Sequence, residues 1–141
     1  MSGLLQKEGI PFILGMIAGS GLKINGMYVE YGQPGQFSAG PRDAGYFAAL
    51  GQGRKCGYTR VGVTHSDVVS GGVCFTSLVC PSDINNGRVN HGVCAVCVTL
   101  VCMKDENPAN DVFIYTAEIP DSPVMNGASI TVNVGMRLTG V

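Results

Sequence analysis

At 141 residues and a net charge of −1, the chain is long enough to bury a sizeable single core, and it carries no overall basic field to draw it to nucleic acid or membrane. Charged residues make up only 13%, against about a quarter in ordinary soluble domains, and glycine fills 21 of the 141 positions. A free monomer is normally coated more thickly with charge, so the choice is between a polar uncharged skin and, as we read it, a surface partly covered by other subunits.

In chain order, residues 1–9 read as a leader. Ile10 to Ile17 reads as a first strand or as an apolar arm lying across a neighbour, and residues 1–21 together as an N-terminal arm on a single domain spanning 1–141. The run is too short to span a membrane. Small residues follow it at Ala18–Gly21, as in a signal peptide, but Glu8 cancels Lys7, and Pro11 and Gly15 interrupt the helix such a segment usually forms. Leu22 to Tyr31 contains Asn25-Gly26, the chemistry of a tight hairpin turn. Breakers follow at Gly32–Gly35 and Gly40-Pro41, and Ala44 to Leu50 allows one or two helical turns.

Tyr58 to Thr64 alternates as a half-buried strand. Ser70-Gly71-Gly72 is a turn ahead of the strand Val73 to Cys80, and Pro81 to Gly87 is a loop. Val93 to Met103 has no charge, Gly or Pro, and predicts a strand buried on both faces. It is paired antiparallel, across the polar break Lys104–Pro108, with Val112 to Ile119. Pro120 to Gly127 is a loop. Ala128 to Leu138 alternates again, with Ile130, Val132, Val134 and Met136 on one face. Eight or nine short strands and no long amphipathic helix predict an all-β antiparallel β-sandwich, a jelly roll of about eight strands.

The motifs that invite chemistry weaken under their spacing. Cys94-Ala95-Val96-Cys97 has C-x-x-C spacing, but strand alternation would put Cys94 on the face of Cys102 and away from Cys97, and no second pair completes a metal knuckle. The six cysteines sit largely in Val-rich runs and read as reduced, buried thiols of a protein folded in the cytoplasm. His65-Ser66-Asp67 reads as a turn, since triads are assembled from distant positions. The loop Gly51 to Gly57, with Arg54 and Lys55, misses both the dinucleotide and the phosphate-loop patterns. With only His65 and His91, separated by 25 intervening residues, a metal-dependent oxygenase is not supported either. The expectation is therefore no enzyme, no catalytic residue, no metal and no cofactor.

Charge is unevenly spread. Arg42, Arg54, Lys55 and Arg60 face only Asp43 within 42–60, whereas Asp105, Glu106, Asp111, Glu118 and Asp121 lie in a stretch without a basic residue. These are either solvated loops of opposite sign or complementary segments of neighbouring subunits.

Three patterns, NHGVCAVCVTLV at 90–101, KDENPANDVFIY at 104–115 and MNGASITVNV at 125–134, resemble the jelly-roll cement (decoration) proteins of tailed-phage capsids. The resemblance implies a symmetric oligomer, a homodimer, bound to the major capsid protein on the outer surface of an icosahedral virion. Contacts are then expected from Ile10, Pro11, Phe12, Ile13 and Leu14 of the apolar arm and from Arg42, Arg54, Lys55 and Arg60, with neither membrane nor nucleic acid as partner. A phage tail or glycan-binding module and a secreted jelly-roll ligand are the competing readings.

Overall fold

The computed structural model describes residues 3–32, 38–50, 57–79, 94–119 and 130–137. Within them the chain forms β1 (Leu4–Leu5), α1 (Gly9–Ile17), β2 (Gly26–Gly32), α2 (Ala44–Leu50), β3 (Gly57–Gly62), β4 (His65–Val69), β5 (Gly72–Val79), β6 (Cys94–Cys102), β7 (Val112–Glu118) and β8 (Ile130–Arg137). The fold is mostly β, in two antiparallel sheets ordered β1-β7-β6-β2-β3 and β4-β5-β8.

The run around Val93–Met103 becomes β6, the middle strand of the larger sheet. Every side chain from Ala95 to Cys102 is buried, because each face has its own cover. On one face Val98, Leu100 and Cys102 join Met27, Val29 and Ile114, closed over by Phe75 and Val79 of β5 and Val132 and Val134 of β8. On the other face Val101, Tyr28 and Phe113 are capped by Phe47 and Leu50 of α2. Strands covered on both sides lose the period-two pattern and read as continuous apolar runs. β8, covered on one side only, keeps its alternation, with Val132 and Val134 in and Thr131, Asn133 and Gly135 out.

The segment read as an arm or first strand is instead a strand residue pair and a helix packed into the domain. Leu4 and Leu5 pair with Thr116 and Tyr115 of β7. Pro11 does not break α1, because it is the third residue after Glu8, where a backbone N–H would have no helical partner. Gly9 lets the helix start lie against β7; a β-carbon there would stand 2.1 Å from the Ile114 carbonyl oxygen. The helix stops at Gly19, whose φ of 92° suits the left-handed residue just past a C-cap.

Asn25-Gly26 is not a hairpin turn. The Asn25 amide donates to the Met103 carbonyl at 2.9 Å and accepts from the Met103 N–H at 2.7 Å, extending the β2–β6 ladder by a side chain. His65-Ser66-Asp67 is not a turn either but the start of β4, and the turn beyond it, Ser70-Gly71, closes the hairpin to β5 with Gly71 at φ 77°.

Candidate functional site

The outward surface of α1 is strongly apolar. GIPFILGMI has no polar side chain on any side. Phe12 is in the core and Ile13 packs against it. Successive helical positions then turn Ile10, Leu14 and Ile17 onto one outward stripe, 53, 60 and 79% exposed. Of the contact residues expected from the sequence, Ile10, Pro11 and Leu14 therefore lie on the surface. Phe12 is removed from that set, because its ring helps to fill the core.

Arg42 is also removed from the set. It is buried beneath segment 38–43, its Nε 2.9 Å from Glu30 Oε2 and its Nη2 donating to Glu30 Oε1 at 3.3 Å, with side chains 4 and 0% exposed. Tyr46 completes the group. Its hydroxyl donates to Glu30 Oε1 at 2.7 Å, and its ring lies 4.2 Å below the Arg42 guanidinium. Gln6 ties β1 in: its Oε1 accepts from the Arg42 N–H, and its Nε2 donates to Thr116 Oγ1 and to the Gly40 carbonyl.

Burial alone would lower the Arg42 pKa, but the hydrogen bonds and charge of Glu30 outweigh it and raise it. Burial, then the hydrogen bond to Glu30, holds the Tyr46 hydroxyl above its ordinary value. The Cys97 thiol, opposite Glu30 in the ladder, is pushed up to about 12, first by burial and then by the Glu30 charge. A thiol so placed is a poor nucleophile.

Arg60 meets an acidic residue of its own chain. Asp111 receives its Nη2 and Nε at 2.6 Å each, and the Tyr28 hydroxyl at 2.5 Å; Arg60 also donates to the Asp105 carbonyl at 3.0 Å. The basic and acidic stretches are thus partly complementary within one molecule. Here the hydrogen bonds to Asp111 are the chief reason the Arg60 pKa is raised. Burial, then the bond to Asp111, raises that of Tyr28. Arg54 and Lys55 lie outside the described residues, as does His91.

Between β1, segment 41–44 and the 109–113 corner runs a cleft of about 630 Å³, with Leu4, Leu5 and Phe113 on its apolar wall. Its inner polar groups, Gln6, Arg42 and Asp111, are spent on the bonds just described. They clamp two loops onto the sheet, and none is presented as an acid and base pair. On β4, His65 Nε2 and Asp67 Oδ2 lie 2.6 Å apart at the surface, with Ser66 on the opposite face of the strand, so the three do not form a relay.

The Cys94 side chain lies outside what the structure describes, but the regular alternation expected along this strand is interrupted. Glu30 pairs with Cys97 and Tyr31 with Ala95, so Val96 is an extra residue and alternation is broken between Ala95 and Cys97. Cys74, Cys97 and Cys102 are free thiols, and among the described residues no cluster of three or more His, Cys, Asp or Glu could hold a metal ion. No helix among the described residues is long and apolar enough to cross a membrane. No protein-family model, curated protein or solved structure matches the chain.

Proposed function

We propose that the chain is a non-enzymatic structural virion protein, which binds the outside of an icosahedral phage capsid as a homodimer and stabilises it. One observation carries this reading. α1 is apolar on every side, and helices of that kind are ordinarily buried, yet Ile10, Leu14 and Ile17 face outward. The major capsid protein is the partner that covers them. The low charge of the chain suits a subunit whose surface is shared with others. A protein that binds only the assembled shell stabilises it by mass action, without catalysis.

The jelly roll is the finer part of the proposal. Its support is the passage of the chain between sheets after β3, β5 and β7, and the distant neighbours β1–β7, β2–β6 and β5–β8. An experimental strand order that replaces those pairs with local hairpins would contradict it.

Heating tests the stabilising role. Particles stripped of the protein should release DNA at a lower temperature than intact ones, and adding the purified protein back should restore the original release temperature. Stripped and intact particles that release DNA together would overturn the reading.

A further inference from the structure

β4 is an edge strand with the core-side face of its chain left bare. Its register sets Ser66 opposite Phe75 and Val68 opposite Val73. Phe75 belongs to the core and Val73 packs against it, so Ser66 and Val68 project on the core side of the sheet. Val68 is nevertheless 86% exposed, and all five residues of β4 are exposed. β4 ends the smaller sheet, and no second strand adjoins it among the described residues. Edge strands that remain unpaired are usually protected by Pro, by charged side chains, Lys above all, or by a bulge, and the one carboxylate of β4, Asp67, is held by His65 at 2.6 Å. His65-Ser66-Asp67-Val68-Val69 has no Pro and no Lys, and its pairing with β5 runs without a register shift.

The backbone of β4 has a defined free side. Val69 and Gly72 close the two-residue turn, and in such hairpins the closing pair exchanges its hydrogen bonds. Alternate residues then spend theirs on β5, leaving the N–H and C=O of Ser66 and Val68 directed at the open edge.

We propose that β4 pairs along this edge with β4 of a second copy of the chain, antiparallel about a two-fold axis at Ser66. The two three-stranded sheets then become one continuous sheet. Charge chooses the occupant and the register. With the axis at Ser66, His65 of each copy stands opposite Asp67 of the other, whereas an axis at Asp67 would set carboxylate against carboxylate. The same axis places Ser66 against Ser66 as a hydrogen-bonded pair and brings Val68 beside Ser66 of the partner strand. The Thr64 N–H is already donated to the Thr76 carbonyl at 2.8 Å, so the pairing is completed there by the Thr64 carbonyl alone, accepting from the Val68 N–H of the other copy. This deepens the homodimer reading above and rests on it for the presence of a second copy.

The test is sedimentation equilibrium of the full chain, wild type against Val68→Lys, with Ser66→Cys as a second probe. Val68 is exposed in the single chain, so the lysine leaves the fold of each subunit unchanged, which circular dichroism checks. It weakens the dimer by roughly tenfold or more, since a buried ammonium costs at least about 1.4 kcal/mol. Ser66→Cys, at the axis, brings two thiols to the spacing of a hydrogen-bonded pair, about 5.5 Å between α-carbons, which a disulfide spans. Mild oxidation should therefore link it as a dimer, and the wild type should stay unlinked. A dimeric wild type indifferent to Val68→Lys overturns the β4 pairing and leaves the homodimer standing. A monomeric wild type that still coats shells overturns both, and leaves shell binding intact.

Discussion

Replacing Arg42 by alanine should destabilise the domain by about 3–5 kcal/mol, the cost of leaving a buried charge without its partner. Glu30 is fully buried, and among the described residues the Tyr46 hydroxyl is the partner that would remain to it. Segment 38–43 would loosen as well, since Arg42 Nη2 also donates to the Ser38 carbonyl at 2.9 Å. The backbone anchor survives, because Gln6 Oε1 accepts from the Arg42 N–H and not from its side chain. Denaturant unfolding should show the midpoint falling sharply with little change in slope. The double variant Glu30→Met, Arg42→Met should recover most of the loss, because exchanging a whole buried ion pair for apolar groups of similar volume is often neutral or stabilising. A double variant as unstable as the sum of the two single ones would mean that the pair is not coupled.

Changing Leu14 and Ile17 together to lysine should have the opposite profile, with stability nearly kept and shell binding lost. Both side chains point outward, and a positive charge near the end of α1 suits the helix dipole. If the stripe is buried on the shell, two large apolar side chains give up about 1.5–3 kcal/mol each, which is roughly two to four orders of magnitude in affinity. Co-sedimentation with stripped shells measures it, and undiminished binding would remove α1 from the interface. Deleting the N-terminal segment is a poorer test. It would strip β1 from β7, Gln6 from the buried network and Phe12 from the core.

How far the sequence carries can be seen residue by residue. β6 and β8 were legible because burial on two faces or on one leaves a direct trace in the order of apolar residues. α1 is not, because Pro11 and Gly15 read as helix breakers from the sequence, and only the helix start at Gly9 puts Pro11 in the first turn, where it is tolerated. Asn25-Gly26 has a local turn signal, but its amide is claimed by Met103, 78 residues away. The same distance problem hid the ion pairs. Arg42 and Arg60 look like surface charge until Glu30 and Asp111 are brought to them across the sheet. One trace was present: Glu30 is a lone carboxylate inside the apolar run MYVEY, and a charge buried in a strand requires a partner. Nothing local could reveal the exposed core-side face of β4, which depends on what the rest of the chain packs against that strand.

The most direct measurement is an image of the assembled particle at a resolution that separates subunits. The account predicts two-fold symmetric density for this chain on the outer capsid surface, with α1 turned toward the major capsid protein. Density for it on the tail, or its absence from the particle, would contradict the account.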